Sequence, residues 1–446
     1  MTINATQRFD SIIVGLGLTG LSCARYLAAR GETIAVVDSR AEPPQLSALQ
    51  AELPEVPVYC GDFAQAPLDR AGRLITSPGL SLREPAIAEA SAAGIPIVGD
   101  IELFSQAAKA PVVAVTGANG KSTVTSLVAA MARTAQRRVA AGGNLAPPAL
   151  DVLAEPEVDL YVLELSSFQL ETTWSLNAAA AVVLNISADH MDRYDSLEAY
   201  ANAKANIYAG DGVMVLNRDD PWVAAMREDD RTSLMYTLAD PGIEATLFGV
   251  RDDWLVRGAQ RLLPVSELAI KGSHNIANAL AALALGSAIN LPMVAMLETL
   301  RHFTGLPHRC QWIDRKRGAD WFDDSKGTNV GASIAAIEGL AGDNNLILIA
   351  GGDGKGADFS DLGRAMVDRV HSVILLGRDA ERIAAVVPAM TRIVRVADVP
   401  AAVAAAAEHV RANDRVLLSP ACASLDMFSD YKQRGDVFAA AVRGLD

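Results

Sequence analysis

The stretch from residue 111 to 131 constrains the fold of this chain more than any other. A β-branched run ends at Thr116, a glycine-containing turn follows, and apolar side chains then recur three and four residues apart. This order predicts a strand, a phosphate-binding turn and a helix. In such a turn, backbone N–H groups and the helix N-terminus together surround phosphate oxygens. The residues that we expect at a nucleotide are Gly117, Asn119, Gly120, Lys121, Ser122 and Thr123.

This turn departs from the ordinary phosphate-loop pattern, in which four residues separate the two glycines. Here two residues, Ala118 and Asn119, stand between them. An alternative therefore stays open, a plain strand-to-helix turn that binds no ligand. If the turn does bind a nucleotide, Lys121 would reach the β- and γ-phosphates and Ser122 would offer its hydroxyl to Mg²⁺.

A second glycine turn lies near the start of the chain. Gly15, Gly17 and Gly20 follow an apolar run and precede a helical stretch, and Asp38 ends the next predicted strand. This is the dinucleotide fingerprint in its usual context, and it favours NAD when taken alone. The diphosphate of a nucleotide-sugar satisfies the same backbone geometry, however, and a tight turn without a ligand is a further alternative.

Composition limits the class of protein. At 446 residues the chain is too long for one compact core, so two or three domains are expected. A net charge of −14 argues against a nucleic-acid partner, and the four scattered cysteines form neither a disulfide framework nor a zinc motif. No apolar run resembles a membrane span and the first ten residues lack a secretory signal, so we expect a cytoplasmic protein without a membrane partner.

Polar side chains follow further predicted strands of the second unit. Glu164 ends one strand, and His190 comes shortly after the next. The carboxyl ends of parallel strands meet at one edge of a sheet, so both are expected near Lys121. Ser122 and Glu164 would supply oxygens to Mg²⁺ there, and His190 would ligate or hydrogen-bond. Taken singly, each of these residues fits a surface or capping role equally well.

Taken together, the motifs of this chain resemble those of the Mur ligases, the ATP-dependent amino-acid-adding enzymes of peptidoglycan synthesis. The shared motifs include Gly-Leu-Gly-Leu-Thr-Gly, Thr-Gly-x-Asn-Gly-Lys-Ser-Thr, Leu-Glu-Leu-Ser-Ser-Phe-Gln-Leu, Asp-His-Met-Asp-Arg-Tyr, Gly-Leu-Pro-His-Arg, Asp-Ser-Lys-x-Thr-Asn and Leu-Ser-Pro-Ala-Cys-Ala-Ser. They run over the whole chain in the family's order. The short phosphate loop is the family's own form.

The resemblance implies an α/β protein of three domains. They are a Rossmann-like N-terminal domain for UDP (1–99), a central P-loop ATPase-like domain for ATP and Mg²⁺ (100–306), and a Rossmann-like C-terminal domain for the amino acid (307–446). The D-glutamate-adding members are most similar. The implied reaction joins UDP-MurNAc-L-Ala to D-glutamate through an acyl phosphate, with ATP split to ADP and phosphate. A monomer is expected.

The resemblance also assigns residues to ligands. Positions around the uridine substrate are Leu18, Thr19, Asp38, Ser39, Arg40, Ser77, Gly79, Asn144 and His190. Beyond the phosphate loop, positions around ATP are Asn275, Asn278, His308, Arg309 and Asp324. The D-glutamate positions are Lys326, Thr328, Lys355, Ser424 and Tyr431, the last being Phe in the usual pattern. The implied catalytic and metal-binding groups are Lys121, Ser122, Glu164, His190 and Lys204, with Lys204 carbamylated by CO₂.

The metal-binding role of Lys204 is not favoured by the sequence around it. It lies in a predicted helix that is poor in charge, and most helical lysines are solvated. Two other functional classes also remain at this point, a kinase or ATPase based on the phosphate loop and an NAD-dependent dehydrogenase based on the first glycine turn. A sister ligase that takes another amino acid is a third alternative.

Overall fold

The computed structural model describes residues 7–63, 66–191 and 193–446. The first six residues, which fall in the segment expected to lack a secretory signal, and Asp192 of the Asp-His-Met-Asp-Arg-Tyr motif lie outside the described residues. Within the described part, the strands form three sheets that follow one another along the chain.

The first sheet is parallel, with strand order β3-β2-β1-β4-β5. Its strands are β1 (Phe9–Val14), β2 (Ile34–Asp38), β3 (Val58–Cys60), β4 (Ala71–Thr76) and β5 (Ile97–Val98). Its helices are α1 (Leu18–Ala28), α2 (Leu46–Glu52) and α3 (Pro85–Ala92), and Leu68–Arg70 form a 3₁₀ turn. Helix α4 (Asp100–Ala107) then leads to the second sheet.

The second sheet has the strand order β14-β13-β12-β11-β10-β9-β6-β8-β7. It is parallel from β7 to β12 and antiparallel from β12 to β14. Its strands are β6 (Val112–Thr116), β7 (Val139–Gly143), β8 (Leu160–Glu164), β9 (Ala180–Val183), β10 (Val213–Asn217), β11 (Ser233–Tyr236), β12 (Leu247–Arg251), β13 (Trp254–Arg257) and β14 (Gln260–Pro264). Its helices are α5 (Lys121–Thr134), α6 (Ala149–Val152), α7 (Ser167–Leu170), α8 (Leu197–Ala205), α9 (Pro221–Ala224), α10 (Ser273–Ala288) and α11 (Met293–His302), with 3₁₀ turns at Asn206–Tyr208 and Val265–Glu267.

The third sheet has the order β15-β16-β20-β17-β18-β19 and is parallel except for β15. Its strands are β15 (Gln311–Lys316), β16 (Ala319–Asp323), β17 (Leu346–Gly351), β18 (Val370–Leu376), β19 (Arg392–Arg395) and β20 (Arg415–Leu418). Its helices are α12 (Val330–Leu340), α13 (Ser360–Met366), α14 (Ala380–Ala384), α15 (Val399–His409) and α16 (Tyr431–Arg443).

Three neighbouring parallel strands of the second sheet, β9, β6 and β8, are buried on both faces. Every residue of β6, β8 and β9 is buried, because α5 and α10 cover one face of these strands and α4, α6 and the 3₁₀ turn after α8 cover the other. Such strands are continuously apolar in sequence, as is typical of parallel sheets. Their carboxyl ends carry the polar residues of the site, so the core fixes the positions of those residues.

The predicted three-domain α/β architecture is confirmed, while the boundaries at 99/100 and 306/307 stay predictions. Two predicted strands, 95–98 and 180–186, are shorter than expected, because only Ile97–Val98 and Ala180–Val183 pair with neighbouring strands. No helix in the described part of the chain is long and apolar enough to cross a membrane.

Asp100 joins the first unit to the second through a buried contact. It lies in the first turn of α4, and its Oδ2 accepts a hydrogen bond of 2.9 Å from Nε2 of Gln169. Its Oδ1 is buried and finds no hydrogen-bond partner among the described residues. Burial therefore raises the pKa of Asp100 to about 6, and this outweighs the bonds from Gln169 and the local backbone, which lower it.

Asp100→Asn is expected to lower the dependence of stability on pH. A carboxyl whose pKa is higher in the folded than in the unfolded state favours folding at low pH, and this contribution is lost as pH rises through about 6. The rise in pKa from 3.8 to about 6 corresponds to about 3 kcal/mol in total, of which about 2 kcal/mol is lost between about pH 4.5 and about pH 8. The asparagine variant has no ionisable group here, so its free energy of unfolding does not lose this amount. Urea titrations of both proteins at about pH 4.5 and about pH 8 measure the difference. An equal change in the unfolding free energy of the two proteins would contradict the assignment.

Candidate active site at the carboxyl edge of the central sheet

The predicted phosphate loop connects β6 to α5 at the carboxyl edge of the second sheet, between β9 and β8. Gly120 precedes α5 with a φ of +84°, a left-handed conformation that glycine adopts without strain. A Cβ at this position would lie 2.5 Å from Oδ1 of Asn278, so the approach of α10 also requires glycine. The first N–H groups of α5 have no partner within the helix and can bind an anion.

Two lysine side chains converge on one carbonyl group of this loop. Nζ of Lys121 donates to the oxygen of Gly117 at 2.8 Å, and Nζ of Lys204 donates to the same oxygen at 3.0 Å. Lys204 is 1% exposed and also lies over the ring of Tyr200. Burial and then the nearby Lys121 lower the pKa of Lys204 well below its ordinary value, and burial also lowers that of Lys121.

Glu164 is the centre of an oxygen-rich cluster beside the lysines. Its Oε2 accepts a hydrogen bond from the hydroxyl of Ser122, and its Oε1 accepts one of 2.6 Å from Nδ2 of Asn144. Nη2 of Arg309, from the third unit, donates to the same Ser122 oxygen at 2.6 Å. The second and third units therefore meet at Ser122.

This cluster fits a Mg²⁺ ion that also binds phosphate oxygens. Mg²⁺ commonly takes one or two protein oxygens and keeps several waters or phosphate ligands. The side-chain oxygens of Ser122 and Glu164 lie side by side. They now accept hydrogen bonds from Arg309 and Asn144, and a metal ion would replace these donors. Among the described residues, no group of three or more His, Cys, Asp and Glu side chains is arranged to hold a metal by itself.

His190 lies in the loop after β9, in a left-handed conformation with a φ of +57°. Its ring packs edge-on against Phe168, with 4.8 Å between the ring centres. The neighbouring Asp189 accepts a hydrogen bond of 3.1 Å from Nδ2 of Asn329, which begins α12 of the third unit. This loop therefore also connects the second unit to the third.

A cleft of about 330 Å³ extends from the phosphate loop between α10 and the third unit. The predicted nucleotide residues in its wall are Asn119, Gly120, Thr123, Asn275, Asn278, Arg309 and Asp324. Nδ2 of Asn278 donates to Oδ1 of Asn275 at 3.1 Å, and the two amides lie on one face of α10. Burial raises the pKa of Asp324 to about 7, against the opposing effect of a hydrogen bond from Ser419.

Seven of the nine residues predicted for the uridine substrate form a separate cluster in the first unit, around the first glycine turn, while Asn144 and His190 lie in the second unit. Oδ2 of Asp38 accepts a hydrogen bond of 2.7 Å from the backbone N–H of Leu16, and Asp38 pairs with Arg40. Burial opposes ionisation of Asp38, but these bonds together outweigh it and lower its pKa. Ser77, which follows β4, donates to the carbonyl of Gly15 at 3.0 Å.

The remaining residues of this cluster lie close by in the chain. Leu18 and Thr19 begin α1, and the Leu18 side chain is 62% exposed. Ser39 follows β2, and Gly79 lies in the turn after β4. Their positions at the carboxyl edge of the first sheet are where ligands of α/β proteins bind.

The residues predicted for D-glutamate lie at the carboxyl edge of the third sheet. Nζ of Lys326 lies over the ring of Tyr431 at 4.0 Å, so the tyrosine ring has a defined contact there. Burial and then Arg309 lower the pKa of Lys326 to about 8. Thr328 lies two residues further on. The loops that carry Lys355 and Ser424 are joined by backbone hydrogen bonds between Asp353 and Ala423.

Several wall residues of the cleft were not among the predicted site residues. They include Leu184, Asn185, Ser187, Asn217, Tyr236, His274 and Cys310. Asn185 and Asn217 follow or end parallel strands, so the strand-end argument applied to Glu164 would have found them. Tyr236 also ends a parallel strand, but its aromatic side chain resembles a core residue, and His274 carries no strand-end signal because it lies in the first turn of α10.

The sequence is similar to named proteins over nearly its full length. It is 54% identical over 437 residues to "UDP-N-acetylmuramoylalanine--D-glutamate ligase" of Nitrosococcus oceani, covering 97% of this chain and 96% of the relative. It is 52% identical over 451 residues to the protein of the same name from Pseudomonas aeruginosa, covering 100% of both chains. The chain belongs to the Mur ligase family.

Three domain-family models match this Mur ligase, and each match corresponds to one of the three sheets. Residues 10–99 match "Mur ligase MurD-like, N-terminal domain", residues 115–286 match "Mur ligase middle domain", and residues 308–422 match "Mur ligase, glutamate ligase domain". A solved structure with the same fold is that of UDP-N-acetylmuramate-alanine ligase from Thermotoga maritima, with a TM-score of 0.59 and 17% identity, covering 98% of this chain and 99% of that one. The protein is an ATP-dependent ligase that forms amide bonds, which excludes the kinase and NAD-dehydrogenase alternatives.

Gly120→Ala is expected to destabilise this Mur ligase and to weaken its binding of ADP. The left-handed backbone costs an alanine roughly 1–2 kcal/mol, and the clash with Asn278 adds about 1–3 kcal/mol. Gly242→Ala is the matched control, because Gly242 also has a positive φ but open space around its Cα. Urea denaturation and calorimetric titration with ADP compare the two. Equal losses of stability, with unchanged ADP affinity in both, would contradict the proposed approach of Asn278.

Proposed function

We propose that this Mur ligase adds D-glutamate to UDP-MurNAc-L-Ala in peptidoglycan synthesis, through an acyl-phosphate intermediate. The observation that carries the proposal is the convergence of Lys121, Ser122 and Glu164 with Arg309 of the third unit. The names of the relatives at 52–54% identity support the choice of D-glutamate. The protein would act in the cytoplasm as a monomer.

The first chemical step brings together two anions, the substrate carboxylate and the γ-phosphate. One carboxylate oxygen attacks phosphorus while the bond from phosphorus to the bridging oxygen of ADP breaks. Lys121 and Arg309 stabilise the charge that is shared by the equatorial phosphate oxygens. Ser122, Glu164, His190 and a carbamylated Lys204 would hold Mg²⁺, which supplies neutralising charge at the phosphates. The N–H groups at the start of α5 keep the chain of phosphates in line.

The second step needs an amine held beside the activated carboxyl. The amine nitrogen attacks the acyl carbon, a tetrahedral intermediate forms, and phosphate leaves as the nitrogen loses its proton. Lys326 and Lys355 would pair with the two carboxylates of D-glutamate, while Thr328 and Ser424 would donate hydroxyl hydrogen bonds. Lys326 lines the same cleft as Gly120 and Arg309, which supports a role for this group beside the phosphates.

The surroundings of Lys204 favour its carbamylation. An amine reacts with CO₂ in its neutral form, and burial lowers the pKa of Lys204 well below its ordinary value. The nitrogen of the neutral amine attacks the CO₂ carbon and loses one proton, so a carbamate anion replaces the amine. The carbamate then attracts the ammonium group of Lys121, and its oxygens become available to a metal ion.

The proposed substrate choice is tested by ADP release across a panel of amino acids, with UDP-MurNAc-L-Ala and Mg·ATP supplied. We expect release with D-glutamate, because two carboxylates match the two lysines of the third unit. L-alanine, L-lysine and meso-diaminopimelate should give rates near the background. A preference for one of these three amines would identify a sister activity and overturn the proposal.

Lys204→Ala is expected to lower kcat by about 100-fold or more, the usual cost of removing a charge-stabilising group from an active site. Short carboxylic acids should restore part of the activity of this variant, because they can occupy the space of the carbamate. Lys204→Met is the matched control, since its side chain fills that space and should prevent rescue. Full activity in either variant, or equal rescue of both, would contradict the carbamate proposal.

A further inference from the structure

Arg193 lies in the loop between β9 and α8 and contacts the first unit. Nη1 of Arg193 donates to the carbonyl oxygen of Pro78 at 3.2 Å. Pro78 stands between Ser77 and Gly79, two of the residues expected at the diphosphate of the uridine substrate. The guanidinium therefore touches the backbone of that site from the side of the central sheet.

The other contacts of Arg193 are made within the central unit. Its Nη2 pairs with Oε2 of Glu171 at 3.2 Å, and its guanidinium lies 4.2 Å from the centre of the Phe168 ring. The side chains of Arg193 and Glu171 are 14% and 20% exposed, so this pair is mostly withdrawn from water. A partly buried guanidinium with a carboxylate, a carbonyl and an aromatic face around it is held in one orientation.

Phe168 contacts both Arg193 and His190, a residue of the proposed ATP site. It belongs to α7, four residues after Glu164, and its ring packs edge-on against His190. The same ring stacks on Tyr194 with 5.9 Å between the ring centres. Arg193 and His190 belong to one turn of the loop between β9 and α8. The backbone N–H groups of Arg193 and Tyr194 both donate hydrogen bonds to the His190 carbonyl.

We propose that Arg193 is a positioning residue that couples the uridine-diphosphate site to the ATP site through Phe168 and His190. The inference rests on the proposed function, since both ligands belong to it. A uridine ligand that orders the loop around Pro78 also fixes the acceptor of the Arg193 guanidinium. Arg193 then holds Phe168 and the His190 turn in place, so the second ligand meets a site that is already ordered and binds more tightly.

A second contact, an ion pair, joins the same two segments and provides the comparison. Arg83 of the first unit pairs with Asp195, two residues after Arg193, at 2.6 Å. Both of these side chains are largely exposed, at 69% and 74%, and such pairs contribute little. Arg83 therefore differs from Arg193 in burial and in lacking the contact with Phe168, while it joins the same parts of the chain.

The coupling is measured by calorimetric titration of the full-length protein with UDP-MurNAc-L-Ala, with and without saturating Mg²⁺ and a non-hydrolysable ATP analogue. No D-glutamate is present, so no turnover occurs. In the wild type we expect the analogue to raise affinity for the uridine ligand about 5-fold or more, the usual range for coupled sites. We call the affinity for the uridine ligand with the analogue, divided by the affinity without it, the coupling ratio. Arg193→Ala should bring this ratio to about one, and the reciprocal titration should show the same change.

Three further variants make the result specific. Arg83→Ala should keep the wild-type ratio. Arg193→Lys should lower the ratio, because an ammonium cannot both cover the Phe168 ring and bridge Pro78 to Glu171. Phe168→Leu keeps most of the apolar volume but removes the aromatic face, so it should also lower the ratio. If circular dichroism shows that Arg193→Ala does not fold, the lysine and leucine variants provide the test.

The outcomes separate this inference from the proposed function. A wild type that binds both ligands with a ratio of one, or lysine and leucine variants that keep the wild-type ratio, would overturn the coupling alone. Equal loss in Arg83→Ala would also overturn it, since any link between the two segments would then suffice. A wild type that binds neither ligand would overturn the proposed function and this inference with it.

Discussion

The carbonyl group of Gly117 accepts hydrogen bonds from two lysine side chains, and the rest of the site is arranged around this contact. Lys121 comes from the loop itself, while Lys204 comes from α8 and is almost fully buried. Two ammonium groups so close together repel each other, which is why the pKa of Lys204 is lowered by Lys121 as well as by burial. The loop is therefore prepared for negative charge, which phosphate oxygens or a carbamate would supply.

The position of this loop at the edge of the central sheet allows the third unit to contribute to the same site. Arg309 reaches the Ser122 hydroxyl, and Asn329 reaches Asp189. Arg309 also lowers the pKa of Lys326, so the proposed amino-acid site and the phosphate site share one electrostatic environment. The third unit thus supplies Arg309 to the phosphate site. The site is complete only when the third unit packs against the central unit in this position.

Much of this arrangement could be predicted from the sequence, because glycine turns and strand ends are local signals. The strand, turn and helix around Lys121 were placed correctly, and so was Glu164 at the end of its strand. The burial of Lys204 was not predictable from α8, since the helix has no strongly apolar face and its neighbours come from distant parts of the chain. The same holds for Arg193, whose partners Pro78 and Phe168 are brought to it by the packing of two units.

The overall charge of the chain shows why these local contacts matter. With a net charge of −14, the protein as a whole repels the anionic ligands that a Mur ligase binds. At physiological ionic strength, this repulsion is largely screened beyond about 8 Å, so it has little effect within the cleft. Lys121 and Lys326 lie inside that distance and are partly buried, which strengthens the interaction that we propose for them with a phosphate or carboxylate. Lys204, once carbamylated, would act through a metal ion instead. In this proposal, affinity for the ligands depends on a few partly buried cations whose positions are set by the carboxyl ends of the strands.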